Sequence, residues 1–161
     1  MSTNSIAKQA FEDAASRYFT KSFRAENWSG ADTAAFRKFA EQQGLNDPEV
    51  LLAADESYIS FALLDADNNG EVIGYTAIKF GNDSAEFGDS LIREDYQGNG
   101  LAHILYETRH AYLKDIGFEG DVVTYIAPEN TPSIKAALKN GFYDTGAYSE
   151  AGTKLFRAYC V

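Results

Sequence analysis

The sequence predicts an α/β fold, a mixed sheet with flanking helices, and three observations carry that expectation. The apolar period changes along the chain from the three- and four-residue steps of helices to strand-like runs and back again. Turn signals separate the segments at Asn69-Gly70, Gly81-Asn82-Asp83, Gly98-Asn99-Gly100, Gly117 and Gly141. No internal repeat, low-complexity tract or proline-rich linker marks a boundary, so residues 1–161 read as a single domain.

Ile6, Ala7, Ala10, Phe11, Ala14, Ala15, Tyr18 and Phe19 recur at helical spacing, with Ser5 as a candidate cap, and predict an opening helix. Ala35, Phe36, Phe39 and Ala40 predict a second helix from about Ala34 to Gln43, started by Asp32-Thr33 and ended by Gly44. A short third helix is expected after Pro48. Strands follow at Tyr58–Leu64 and Glu71–Phe80, joined by a hairpin turn at Asn69-Gly70, and then at Ala85–Arg93. Leu101, Ile104, Leu105, Thr108, Tyr112 and Ile116 share one face of a long helix that Gly117 closes. A strand over Asp121–Ala127, a helix over Pro132–Lys139 stopped by Gly141, and at least one strand within Ala147–Tyr159 complete the order.

Charge narrows the function. Fourteen Lys and Arg against 24 Asp and Glu give a formal net charge of −10, which opposes a duplex phosphate backbone and suits a cationic ligand. Cys160 is the single cysteine and has no partner for an intrachain disulfide, as a reducing compartment permits. Lys8 is not followed by an apolar run, and no segment approaches the ~20 apolar residues of a membrane span. The expectation is a soluble, cytoplasmic protein, monomer or homodimer, without nucleic-acid or membrane partners.

The strand ending in Leu91-Ile92, the turn with Gly98 and Gly100, and the amphipathic helix after it form an arrangement in which backbone N–H groups face an anion, most naturally phosphate. Two rival motifs fail. No Gly-Lys-Ser/Thr follows for a P-loop, and His103 stands where a dinucleotide fingerprint needs its third glycine.

Gln97-Gly98-Asn99-Gly100-Leu101-Ala102 resembles the Gln/Arg-x-x-Gly-x-Gly/Ala signature of the GNAT superfamily of N-acyltransferases. Upstream, Ser90-Leu91-Ile92-Arg93-Glu94-Asp95-Tyr96 is similar to that family's splayed strand. Downstream, Pro128-Glu129-Asn130-Thr131-Pro132-Ser133 and Leu138-Lys139-Asn140-Gly141-Phe142 are similar to its asparagine-plus-helix motif. The resemblance covers roughly residues 70–143. It implies a mostly antiparallel mixed sheet with a splayed central strand pair, and acetyl-CoA as the acyl donor. The pyrophosphate would sit on the amides of Gly98, Asn99, Gly100, Leu101 and Ala102, with Gln97 beside the loop and the pantetheine arm along Leu91 and Ile92. Asn130 and Ser133 would complete the cofactor site, and Lys135 or Lys139 could meet the outer phosphate.

Acyl transfer to an amine needs a free lone pair, whereas an alkyl ammonium has a pKa of about 10.4, so a carboxylate base is useful. Glu86 and Asp89 are the candidates on the strand before the glycine loop; an odd step apart, they point to opposite faces of a regular strand, and Asp89 lies nearer the splay. Many members of the family protonate the thiolate with a tyrosine at the position of Ala137. That departure leaves Ser133, Tyr143, Tyr125 or water for the role. It also favours the rival reading, a catalytically silent module that binds acyl-CoA.

Three other patterns have plainer readings. Asp65-x-Asp67-x-Asn69-Gly70 imitates the start of a calcium loop, but Thr76 replaces the bidentate Glu, so a hairpin turn is expected. His103, Glu107 and His110 fall on one helix flank, where a polar edge is expected and no metal. Trp28, Phe23 and Tyr18 are expected in the core or along an acceptor cleft.

Overall fold

The computed structural model describes residues 17–22, 30–44 and 57–158, with the side chains of residues 21–22, 30–33 and 89 outside that set. Seven strands form one sheet. They are β1 (Tyr18–Ser22), β2 (Tyr58–Asp65), β3 (Glu71–Phe80), β4 (Ser84–Ile92), β5 (Asp121–Ile126), β6 (Phe142–Tyr148) and β7 (Lys154–Ala158). The order across the sheet is β1-β2-β3-β4-β5-β7-β6, and β4 with β5 is the parallel pair in an otherwise antiparallel ladder. Three helices cover it: α1 (Gly30–Gln42), α2 (Leu101–Asp115) and α3 (Thr131–Lys139). This is the expected mixed, mostly antiparallel architecture.

Both faces of the central strands are buried, which explains their near-continuous apolar runs. Ala62 and Leu64 of β2 with Val72, Tyr75 and Ala77 of β3 pack on Phe36, Phe39 and Ala40 of α1. On the other face Ile59, Phe61 and Ile78 meet Tyr106 and Leu113 of α2 and Ala137 of α3, while Leu63 and Ile73 meet Leu101, Ile104 and Leu105. Each buried Leu, Ile or Phe contributes about 1.5–3 kcal/mol relative to exposure, and α2 is held mainly by such residues. The Asn69-Gly70 pair is the expected hairpin turn, with left-handed φ of 57° and 69° after a 3-10 turn over Ala66–Asn68.

The expected opening helix is corrected where it can be seen. Tyr18 and Phe19 lie in β1, paired with Asp65 and Leu64 of β2. Tyr18 packs toward the α2 side and Phe19 toward the α1 side, the alternation of a strand with both faces covered. The remaining residues of that expected helix, the expected helix after Pro48, Phe23, Trp28 and Cys160 lie outside the described residues. The helix α1 begins at Gly30, so Asp32 and Thr33 fall inside its first turn and not before it. At the C-terminal end β7 is the strand expected within Ala147–Tyr159, and β6 starts before that range, at Phe142.

Candidate active site

The site begins with a break in the sheet. Parallel pairing of β4 with β5 covers only Ser84–Asp121, Ala85–Val122 and Glu86–Val123, after which the strands separate. The start of the pair requires glycine: a Cβ at Gly120 would lie 2.3 Å from the Asp83 carbonyl oxygen, the oxygen that accepts from the Asp121 N–H. At the fork the Thr124 hydroxyl donates to the Phe87 carbonyl at 2.7 Å. Beyond that point the β5-facing edge of β4 has no strand partner among the described residues.

An irregularity in β4 turns this edge into a site. Ala77 pairs with Gly88 and Tyr75 with Leu91, so three steps on β4 oppose two on β3, a β-bulge around Asp89 and Ser90. Its effect is visible in the packing. Phe87 joins the α2 side of the core while Leu91, four residues later, packs against the α1 side. The Thr76 and Ser90 hydroxyls bond at 2.6 Å and pin the bulge. The parity argument that set Glu86 and Asp89 on opposite faces therefore does not apply, because the strand is not regular between them. Glu86 neighbours Phe87 in the regular part of β4 and is directed to the face away from α2. Asp89 occupies the bulge; its side chain lies outside the described set.

After β4, the Gln97 amide donates to the Ile92 carbonyl at 2.9 Å and the Asn99 amide to the Tyr96 carbonyl at 3.1 Å. Gly98 and Gly100 adopt φ of 82° and 73°, and no atom lies within 4 Å of a Cβ built on either. Gly100 is the N-cap of α2 and no side chain caps the helix, so its first amides and the positive end of its dipole remain available to an anion. Leu101 is different: its side chain is core, under the loop, and only its backbone can serve a ligand.

Between the parted strands, α2 and the start of α3 lies a cleft in two connected halves of about 260 and 160 Å³. Ser90, Tyr106, Arg109 and Ser133 border both. Leu91, Ile92, Gln97 and Ala102 line the half next to the glycine loop; Thr124, Tyr125 and Asn130 line the other. Most expected cofactor residues thus converge on one cavity. The Asn130 side-chain oxygen accepts from the Ser133 N–H at 3.4 Å and caps α3. Lys135 and Lys139 are exposed on α3. Glu86, Tyr143 and Ala137 do not line the cleft; Ala137 is fully buried against the core around Phe142.

Two residues that sequence reasoning passed over define the cleft floor. Tyr106 is buried, and that burial raises its pKa, against which the neighbouring Arg109 acts. Arg109 is 1% exposed, with its guanidinium carbon 4.3 Å from the Phe87 ring centre and 4.7 Å from that of Tyr106. Its Nε–H donates to the Leu105 carbonyl at 3.1 Å. Burial pushes its pKa down to about 10, with the Tyr106 hydroxyl opposing, so it stays cationic at neutral pH. The sequence held a signal: Arg109 interrupts an otherwise apolar i, i+4 row of Leu101, Leu105 and Leu113.

The histidine flank of α2 serves packing. His103 Nδ1 lies 2.7 Å from the Asn140 side-chain oxygen, and His110 stacks between Phe87 and Phe142, where burial lowers its pKa. Asp65 of the calcium-like pattern accepts from Arg17 and from the Asp67 N–H instead. No helix among the described residues is long and apolar enough to cross a membrane.

A parallel strand pair that parts beside a glycine loop at a helix N-terminus defines a class of acyltransferases, and comparison with known families agrees. The acetyltransferase (GNAT) family model matches residues 8–142, and the chain belongs to that family and is an acyltransferase. Solved structures share the fold. The chain matches a spermidine N-acetyltransferase of Vibrio cholerae with a TM-score of 0.66 and 16% identity, covering 88% of this chain and 93% of that one. It matches the ribosomal-protein-S18-alanine N-acetyltransferase of Escherichia coli at 0.61 and 18%, over 87% and 90%. For the N-acetyltransferase PseH of Campylobacter jejuni the values are 0.61 and 15%, over 87% and 96%. No curated protein sequence matches significantly.

Proposed function

We propose that this chain acts as one domain over residues 1–161 and transfers an acetyl group from acetyl-CoA to a primary amine of a small molecule or peptide. The observation that carries the reading is the cleft itself, where the unpaired edge of β4 meets the uncapped first turn of α2. Amides of Gly98–Ala102 suit a pyrophosphate, and the open backbone at Leu91 and Ile92 suits the amides of a pantetheine arm, which extends the sheet as a strand would.

Asp89, in the bulge beside the cleft, accepts the proton of the incoming ammonium, directly or through water; Glu86, which does not line the cleft, is set aside for that role. The amine lone pair then forms the C–N bond as the C–S bond breaks. Tyr106, protonated at neutral pH and bordering both halves of the cleft, donates a proton to the departing sulfur. Ser133 is the alternative donor there. One proton leaves the nitrogen and one reaches the sulfur, so the transfer balances. The net charge of −10 favours approach of a cationic amine from solution.

Thiol release from acetyl-CoA, measured with and without a panel of primary amines, tests the reading. Amine-dependent release is the expected result. Binding of acetyl-CoA with no release for any amine would return the silent-module alternative.

A further inference from the structure

Arg109 is a cation built into the cleft, and no carboxylate among the described side chains answers it. It is the one charged side chain among the described residues that line either half of the cavity, in a chain with 24 Asp and Glu. No carboxylate among the described residues pairs with it; it meets the Leu105 carbonyl, the Tyr106 hydroxyl and the Phe87 and Tyr106 rings. The acid nearest along its own helix, Glu107, is half-buried and acts on His110. On β4 Glu86 is directed to the other face.

Such an arrangement costs stability. Stripping water from a guanidinium costs several kcal/mol unless an anion and hydrogen bonds replace it, and a leucine or methionine would fill the same row of α2 without that penalty. Stacking between two rings, the Tyr106 hydroxyl and one bond to a backbone carbonyl orient the guanidinium, which borders both halves of the cavity with donors to spare. An arginine held this way is preorganised for a planar two-oxygen acceptor.

Resting on the acyl-transfer reading above, we propose that Arg109 seats a carboxylate of the substrate in the splay between β4 and β5. Two sources share that chemistry. The carboxylate is either the far end of a dicarboxylic acyl group on the CoA donor, or the α-carboxylate of an amino-acid-like acceptor whose ammonium the acidic exterior attracts. In both cases the bonds exchanged at the thioester are those already described, and Arg109 is a binding residue that exchanges no proton.

The test compares kcat/KM for matched substrates in the full-length parent, Arg109→Met and Arg109→Lys. One arm sets succinyl-CoA against acetyl-CoA with a fixed amine; the other sets amino acids against their amides with acetyl-CoA. In one arm the parent should prefer the carboxylated partner, and Arg109→Met should reduce that preference about 10- to 100-fold, as expected for a charged hydrogen bond, with Arg109→Lys between. The arm that responds names the source. Should Arg109→Met not fold, the parent's own preference still decides. No preference in either arm, or an equal loss with every substrate, overturns the proposal while the acyl-transfer reading stands. A parent that neither binds nor consumes any acyl-CoA fails at the earlier step and removes both.

Discussion

The Tyr96 hydroxyl donates to Asp65 Oδ2 at 2.7 Å and thereby ties the turn that leads into the glycine loop to the end of β2. Asp65 is fully buried and also accepts from both Arg17 donors and the Asp67 N–H. On the same turn Arg93 holds Asp95 and Glu71, each at 2.7 Å. The loop on which a pyrophosphate would sit is therefore braced from β2 and β3 by charged hydrogen bonds.

This bracing makes stability depend on acid pH. Burial alone would raise the Asp65 pKa, but Arg17, Tyr96 and the Asp67 amide outweigh it and hold the carboxyl below its usual range. The unfolded chain thus takes up the proton first on acidification, and the contribution is complete above the ordinary carboxylate pKa of about 3.9 and lost as pH falls through the lower folded value. Melting temperatures measured between pH 6 and pH 3 should fall more steeply for the parent than for Asp65→Asn. At pH 7 Asp65→Ala, which removes the acceptor of the Tyr96 hydroxyl and leaves Arg17 with Asp67, should cost about 1–3 kcal/mol.

Gly100 separates strain from charge. Its φ of 73° disfavours any side chain although nothing lies within 4 Å of a Cβ built there, so Gly100→Ala should cost about 1 kcal/mol and still bind acetyl-CoA. Gly100→Glu sets a carboxylate at the helix N-terminus and should abolish binding. Thermal shift reads this directly: at 100 times its dissociation constant a ligand adds about 2.7 kcal/mol to the parent. An equal shift in parent and Gly100→Glu would move the pyrophosphate elsewhere.

The base is tested at Asp89. If it accepts the ammonium proton, Asp89→Asn should lower the acyl-transfer rate about 10²–10⁴-fold at neutral pH, leave acetyl-CoA affinity nearly unchanged, and recover as pH rises toward that of the free amine. Parallel pH–rate profiles for mutant and parent would transfer the role to water.

For the acid, Tyr106→Phe should lower kcat about 10²-fold with little change in KM, the low end for a positioned proton donor because a thiolate leaves readily. Moving the phenol to α3 is not equivalent. Ala137 is fully buried beside Tyr106 and Phe142, so Ala137→Tyr must overpack that cluster, with an expected loss of about 1–3 kcal/mol in denaturant titration. A variant as stable as the parent would mean that the ring escapes into the cleft.

Local pattern determined much of this protein. The strands from Tyr58 to Ile92, the hairpin at Asn69-Gly70, and the helix after Gly100 follow from apolar period, turn residues and glycine placement, which act over a few neighbours and survive in one dimension. The glycine loop was legible for the same reason, while the lining residues Leu91, Ile92, Gln97, Ala102 and Ser133 were named by the resemblance of the surrounding motifs to the family. Tertiary structure decided the rest. Tyr18 and Phe19 have helical spacing but lie in a strand, because pairing with β2 and burial on both faces outweigh a local preference. The faces of Glu86 and Leu91 depend on a bulge created by the register with β3, which no count along β4 alone can reveal. Tyr106 and Arg109 fall outside the helix face read from the sequence; only the parting of β4 from β5, set by strands 37 residues apart in sequence, opens a cavity in front of them.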